Sequence, residues 1–151
     1  MDATELLSRT EKALGRQLLE KGRFGRAGIA CAWVEWKSLA DAGRALRDAE
    51  GLRFDWLENI AVTQLDDTLV MTLFLGQSHG SNQLVLRASA EVKSARDPVR
   101  APAIRDIWTT AEIYERENAE LFGIVFGDGV GEGTREAEAF RVRFPLRKGN
   151  A

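Results

Sequence analysis

Apolar residues recur along this chain at spacings that predict alternating helices and strands. Between Met1 and Glu20, leucines and alanines stand three or four residues apart among charged residues, which predicts one amphipathic helix ending near Gly22. In the run from Gly28 to Trp36, odd and even positions alike are mostly apolar, as expected of a strand covered on both faces. Ser38 then suits the N-cap of a second helix, and Gly51 suits its end.

Three further strand-like runs follow, and polar turns separate them. The runs extend from Phe54 to Gln64, from Leu69 to Leu75 and from Gln83 to Val92. Asp66-Asp67 makes a tight turn between the first two, and the segment from Gly76 to Asn82, rich in Gly, Ser and Asn, turns between the second and the third. These signals predict an antiparallel meander.

A last helix is marked at both ends. Thr109 and Glu112 fit a capping box, Trp108 is placed to pack on Ile113 as a hydrophobic staple, and Gly123 is placed to end the helix. Four apolar side chains predict the face that meets the core: Ala111, Tyr114, Leu121 and Phe122. The order helix, strand, helix, three strands, helix predicts an α+β fold with a mostly antiparallel sheet and helices packed on one face.

The sequence indicates a single domain with an irregular C-terminal extension. We assign residues 1–126 to the α+β domain and residues 127–151 to a glycine-rich loop followed by a C-terminal segment. The extension resumes extended structure from Phe140 to Leu146. A chain of 151 residues with 44% hydrophobic and 29% charged residues is ordinary for one soluble globular domain.

Charge and cysteine usage narrow the function classes. The net charge of −2 gives no whole-chain reason to expect nucleic acid or an anionic membrane as a partner. Cys31 is the only cysteine, which excludes an internal disulfide or a cysteine-built metal site in this chain and favours a reducing cytoplasm. No signal peptide or spanning run is recognisable, so a membrane would be reached only through partners. The lone His79 is interpreted as an exposed turn residue.

The acidic residues of the last helix allow two interpretations. Glu115 and Glu117 do not share a face, because consecutive helical residues point about 100° apart. Arg116 lies four residues from both Glu112 and Glu120, which predicts an outward-facing charged ladder. Alternatively, Glu115, Glu117 or Glu120 supplies acid–base catalysis in a stand-alone small enzyme.

Two motifs carry a family resemblance: the run Tyr-Glu-Arg-Glu-Asn-Ala-Glu-Leu-Phe-Gly-Ile from Tyr114 to Ile124, and Pro-Leu-Arg-Lys from Pro145 to Lys148. They resemble the C-subunit family of respiratory complex I, NADH:quinone oxidoreductase, and the equivalent subunit of membrane-bound, energy-converting nickel–iron hydrogenases. The resemblance implies a non-catalytic structural subunit of the peripheral arm, on the cytoplasmic side of the cell membrane. It would support electron transfer coupled to ion translocation.

The resemblance also implies partners and a docking site. The chain would dock on the large quinone-site or nickel–iron subunit, with a small iron–sulfur subunit as a further partner. It would hold no cofactor itself, since the iron–sulfur clusters and the flavin or nickel–iron centre would lie in partner subunits. The implied docking residues are Glu115, Arg116, Glu117, Glu120, Phe122, Gly123, Pro145, Leu146, Arg147 and Lys148.

Alternatives stay open at this point. The segment Gly127 to Gly133 replaces the histidine-containing element usual in the family, which favours the hydrogenase-type or another complex I-like branch. The electron donor and acceptor, the translocated ion and the number of partners are not specified by the sequence. A soluble adaptor unrelated to respiration would also have this ordinary composition and these exposed charges.

Overall fold

The computed structural model describes residues 1–128 and 145–148. Within these residues the chain forms three α-helices and seven β-strands. The helices are α1 (Ala3–Leu14), α2 (Leu39–Asp48) and α3 (Ala111–Phe122). The strands are β1 (Leu18–Phe24), β2 (Ile29–Val34), β3 (Trp56–Leu65), β4 (Thr68–Gly76), β5 (Leu84–Glu91), β6 (Val99–Ala101) and β7 (Ile124–Phe126).

The main sheet has five strands in the order β1-β2-β5-β4-β3, and β6 pairs with β7 separately. Neighbours in the main sheet run antiparallel except β2 and β5, which run parallel. Strands β3, β4 and β5 therefore form the predicted antiparallel meander. The prediction of an α+β fold with a mostly antiparallel sheet is confirmed.

The helices pack on one face of the main sheet. Because side chains alternate along a strand, one set of residues in β4 enters the core while the next set lies on the opposite face. The core set of β4 is Leu69, Met71, Leu73 and Leu75. It meets apolar side chains of all three helices, among them Leu6, Leu46 and Phe122. Burying each such leucine stabilises the fold by roughly 2 kcal/mol.

The first helix is shorter than the sequence pattern predicts. It ends at Leu14, where Gly15 adopts a positive φ of 54°. The chain then forms β1, which pairs with β2 across a turn closed by a hydrogen bond from the backbone N–H of Gly28 to the carbonyl of Gly25. The prediction of a single helix ending near Gly22 is wrong, because the chain from Leu18 pairs with β2, a partner that a pattern of isolated leucines does not reveal.

The start of α3 also differs from the prediction. Thr110 is the N-cap and makes no side-chain capping bond; its hydroxyl donates instead to the carbonyl of Leu57. The indole N–H of Trp108 donates to the buried carbonyl of Phe54, and Ile113 is 72% exposed, so the predicted staple does not form. Tertiary hydrogen bonds thus replace the predicted capping box.

Other local predictions hold. Gly123 ends α3 in the left-handed conformation, and its N–H donates to the carbonyl of Ala119. Ser38 occupies the N-cap position of α2, though without a side-chain capping bond. Cys31 is buried and His79 is exposed in a turn. The greater part of the predicted glycine-rich loop and of the extended segment after it lies outside the described residues.

Candidate partner-docking site

Glu115 lies on the inner side of α3 and is completely buried. Its Oε1 accepts hydrogen bonds from the backbone N–H groups of Ile104 and Arg105 at 2.6 and 3.2 Å. Its Oε2 lies 2.9 Å from Nη1 of Arg105, which also donates to the carbonyl of Phe126. Glu115 therefore fastens the segment before α3 and the end of β7 to the middle of the helix.

A second set of α3 side chains covers the edge of the main sheet. Strand β3 is an edge strand, and unpaired edge carbonyls invite unwanted strand pairing. The N-cap Thr110 and the α3 residues Tyr114 and Asn118 stand four residues apart and donate to three β3 carbonyls at 3.3, 2.8 and 3.1 Å. The three acceptors, in the same order, are Leu57, Glu58 and Ile60. Polar side chains of α3 therefore seal this edge.

Arg147 joins the C-terminal segment to the end of α3. Its side chain is 3% exposed, and burial lowers its pKa from the usual arginine value. The guanidinium donates to the carbonyls of Phe122 and Gly123 at 2.8 and 3.1 Å, and to those of Ser94 and Asp97 at 3.2 and 3.1 Å. A cation suits this place because the C-terminal end of a helix carries partial negative charge.

Backbone contacts continue this attachment on both sides of Arg147. The N–H of Leu146 donates to the carbonyl of Leu121 at 2.9 Å. The N–H of Lys148 donates to the side-chain oxygen of Gln64 at 2.7 Å, and the Gln64 amide donates back to the carbonyl of Lys148. Residues 145–148 are therefore bonded to α3 and to the end of β3.

The outer face of α3, which we define as Glu112, Ile113, Arg116, Glu117 and Glu120, is exposed. Arg116 pairs with Glu112 at 3.3 Å, with side chains 68% and 57% exposed. Within the described residues no such pair joins Arg116 to Glu120, so only one rung of the predicted ladder forms. The face carries more acidic than basic groups. Leu146, 51% exposed, adds an apolar side chain near the end of the helix.

The ten predicted docking residues therefore divide into two groups. Glu115, Phe122, Gly123 and Arg147 are buried within the chain, where their contacts hold α3 and its neighbours together. Phe122 was predicted on the core face and Gly123 at the helix end, whereas burial removes Glu115 and Arg147 from the surface that docking requires. The exposed members are Arg116, Glu117, Glu120, Pro145, Leu146 and Lys148. Docking through these exposed side chains stays a prediction.

Sequence reasoning missed Glu115 and Asn118 as interior residues because it selected the core face by apolar character. The buried residues of α3 are Ala111, Glu115, Asn118, Ala119 and Phe122. Their intervals of four, three, one and three residues are those of a single helix face. Spacing alone, without regard to polarity, would have identified both.

The geometry gives little support to catalysis by the helix acids. The Glu115 carboxylate is enclosed and takes its hydrogen bonds from its own chain, while Glu117 and Glu120 are exposed on a helix surface. A shallow cavity of about 210 Å³ lies elsewhere, lined by Gly51, Leu52, Arg53, Asp55, Gln77 and His79. Among the described residues, no cluster of three or more His, Cys, Asp or Glu side chains could hold a metal ion.

In the part of the chain that the structure describes, none of the helices has the length and apolar character needed to cross a bilayer. The fold and the site define a small α+β domain in which buried hydrogen bonds hold the inner face of α3, while the outer face of α3 exposes charged side chains. The chain belongs to the family of the respiratory-chain NADH dehydrogenase 30 Kd subunit, whose family model matches residues 32–149. The resemblance carried by the two motifs is confirmed.

Individual relatives agree with this family. The NADH-quinone oxidoreductase C subunit of Roseiflexus castenholzii is 28% identical over 129 residues, covering 83% of this chain and 71% of the relative. The corresponding protein of a second Roseiflexus strain is 25% identical with the same coverage. A chain from the membrane-bound sulfane sulfur reductase, an archaeal respiratory membrane complex, shares the fold with a TM-score of 0.69 and 17% identity, covering 83% of this chain and 71% of that one.

Proposed function

We propose that this chain is a structural subunit of the peripheral arm of a complex I-like membrane-bound oxidoreductase. The enzyme is either an NADH:quinone oxidoreductase or an energy-converting nickel–iron hydrogenase. Family membership supports the assembly role. The observation that carries the docking role is the contrast on α3, where buried Glu115 fixes the helix from inside while Arg116, Glu117 and Glu120 remain exposed.

A helix held in this way suits recognition. The inner bonds of Glu115 and Arg147 order both the start and the end of α3 before any partner arrives. Docking then costs less conformational entropy, because the charged face need not be ordered on binding. Charged groups at such an interface set register and partner choice more than affinity. The acidic majority on this face favours a partner surface with lysines or arginines.

The partner in this proposal is the large subunit that carries the quinone pocket or the nickel–iron centre, with a small iron–sulfur subunit nearby. The redox cofactors lie in those partners, and the chain reaches the cytoplasmic side of the membrane through them. The role of this chain is to hold the large subunit in register, so that electron transfer is coupled to ion translocation.

The test is isolation of the native assembly with an affinity tag on this chain. Mild detergent extraction of cell membranes followed by mass spectrometry identifies the subunits that co-purify. We expect the unaltered chain to bring down the large subunit and the iron–sulfur subunit. Recovery of the chain only as a free monomer would overturn the proposal.

A charge reversal locates the docking face. Glu117→Lys with Glu120→Lys places cations near the C-terminal end of α3, which the helix dipole tolerates, so the domain should stay folded. We expect the double variant to lose most of the co-purifying large subunit. The matched control is Asp48→Lys with Glu50→Lys at the exposed C-terminal end of α2, which changes the net charge equally and at an equivalent helix position. Equal loss in both variants would indicate an effect of net charge and contradict this docking face.

Cofactor content of the isolated assembly then decides the branch. Nickel together with iron identifies the hydrogenase type, whereas flavin with iron and without nickel identifies the NADH enzyme. Either result keeps the structural role of this chain, because the proposal places both kinds of centre in the partners.

A further inference from the structure

The face of the main sheet opposite the helices carries a cluster of one arginine and three aromatic side chains. We name Phe24, Trp33, Phe74 and Arg87 the Arg87 cluster. The Cζ atom of Arg87 lies 4.5 Å from the ring centroid of Trp33 and 5.1 Å from that of Phe24. Phe24 and Phe74 meet edge to face at 5.7 Å. Two rings therefore contact the same guanidinium.

Strand register brings the cluster together. Trp33 of β2 pairs with Arg87 of β5, and Arg87 pairs with Thr72 of β4. These residues alternate with Ala32, Leu86 and Leu73, which belong to the helix-covered core. Cys31 and Val85 lie on the same face as the cluster and are nevertheless buried. The half-buried aromatic rings therefore form a layer of their own on the side of the sheet away from the core.

The hydrogen-bonding capacity of Arg87 is only partly used. Its Nε donates to the Thr72 hydroxyl at 3.1 Å. Its two Nη groups have no hydrogen-bond partner among residues 1–128 and 145–148. Aromatic contacts reduce the access of water to the charge, which strengthens an interaction with an anion that reaches the guanidinium edge. A planar fork of this kind matches a carboxylate, which it binds through two parallel hydrogen bonds.

We propose that the Arg87 cluster is a second docking surface, which binds a carboxylate on an acidic segment of a partner protein. Arginine and tryptophan at the centre of a half-buried patch are the residue types that dominate binding energy at protein interfaces. The charge requirement is opposite to that of the outer face of α3, which favours a basic partner surface. The inference rests on the proposed function, because both require that the chain works in a hetero-oligomer.

Zero-length crosslinking tests the carboxylate directly. Arg87→Lys keeps the positive charge and introduces an ε-amine, which a water-soluble carbodiimide joins to an adjacent carboxylate as an amide. The tagged variant is isolated as the native assembly, crosslinked and analysed by mass spectrometry. We expect a link from position 87 to an Asp, a Glu or the C-terminal carboxylate of a partner subunit. Arg44→Lys on α2, whose arginine pairs with Asp41 within the chain, is the matched control.

The outcomes separate this inference from the proposed function. If partners co-purify and native lysines crosslink to them while position 87 does not, the second surface is overturned and the proposed function stands. A link from position 87 only to another copy of this chain would also overturn it. If no partner co-purifies with the unaltered chain, both proposals fail together.

Arg87→Gln supplies an independent measurement. The substitution keeps a polar, though shorter, side chain and removes the charge, and we expect about tenfold weaker retention of the partner during salt washing. The melting temperature of the isolated domain is measured in parallel. If the loss of partner retention is fully explained by a lower melting temperature, Arg87 only stabilises the sheet, and the docking role is overturned.

Discussion

The inner and outer faces of α3 carry the same kinds of residue and use them differently. Glu115 is buried and bonded to two backbone N–H groups and Arg105, whereas Glu117, two residues later, is exposed. Arg105 holds a buried carboxylate, while Arg116 pairs with an exposed one. A single Glu-Arg-Glu run therefore has one acid bonded inside the fold and two charged side chains exposed at its surface.

Burial explains why these similar residues contribute differently to the free energy of unfolding. An exposed ion pair such as Arg116–Glu112 contributes about 0.5 kcal/mol or less, because water competes for both charges. Removing one member of a buried pair leaves the other charge and several donors unsatisfied, which costs about 3 kcal/mol or more. Substitutions on the two faces should therefore separate folding from docking.

The largest effect is expected for Glu115→Gln. The glutamine cannot accept all the donors around Glu115, and its amide N–H groups face the guanidinium of Arg105. We expect the free energy of unfolding to fall by about 3 kcal/mol, less than for a fully enclosed pair because Arg105 is 28% exposed. Urea unfolding of the isolated domain, followed by circular dichroism, measures this change.

Glu117→Gln is the matched control, since it makes the same chemical change on the exposed face of the same helix. We expect it to change the unfolding free energy by less than about 0.5 kcal/mol. Equal losses in the two variants would contradict the distinction between the faces. An unaltered midpoint for Glu115→Gln would show that the buried carboxylate does not hold the segment before α3.

The next largest effect is expected for Arg147→Met, which keeps an unbranched side chain and removes the guanidinium. Carbonyls at the end of α3 and in the segment from Ser94 to Asp97 lose their donor. We expect a loss of about 2 kcal/mol, because residues 145–148 can detach and let water reach the carbonyls. Hydrogen exchange should become faster at Gly123, whose N–H bonds the last turn of α3.

Lys148→Met is the control for Arg147→Met. Lys148 is exposed, and its attachment to Gln64 uses backbone atoms that the substitution keeps. We expect its unfolding free energy to match that of the unaltered chain within about 0.5 kcal/mol. A comparable loss in both variants would mean that positive charge near the helix end, and not the set of carbonyl contacts, is what stabilises this region.

Local signals predicted the strands of the meander and the end of α3, but long-range partners decided the rest. Gly123 ends its helix by its own backbone freedom, so the sequence around it was sufficient. Strand β1 exists because β2 pairs with it, and no pattern of leucines within Met1 to Glu20 reveals that pairing. Trp108 and Thr110 bond to residues more than fifty positions away, which local capping rules do not anticipate.

The two family motifs show the same limit. Recognising the Glu-Arg-Glu run identified the family, yet it did not say which acid faces inward. Which acid faces inward depends on the path of the segment before α3, because the N–H groups of Ile104 and Arg105 in that segment offset the desolvation cost of burying Glu115. Arg147 was likewise expected at the surface and lies beneath it, because four carbonyls converge there.

A smaller effect is expected for Tyr114→Phe, because Tyr114 is half-buried and lies between the inner and outer faces of α3. The hydroxyl of Tyr114 donates to the carbonyl of Glu58 at the sheet edge, and the ring itself contributes to the core. Removing only the hydroxyl should cost about 1 kcal/mol, the net value of one hydrogen bond. Urea unfolding measures the loss. A fall in the unfolding free energy of more than about 2 kcal/mol would mean that the Tyr114 hydroxyl is as important to the fold as the buried groups of the inner face.

The smallest effect on stability is expected for Arg116→Glu, which creates like charges four residues apart with Glu112 and Glu120 on the outer face. Those groups are exposed, so repulsion is screened and the loss should not exceed about 0.5 kcal/mol at physiological ionic strength. The loss should shrink further in high salt, whereas that of Glu115→Gln should persist because its partners are buried or half-buried. Urea unfolding at low and high salt measures both variants. A salt-independent loss for Arg116→Glu near that of Glu115→Gln would mean that the outer face, too, is part of the fold, and the charges there would no longer be free for a partner.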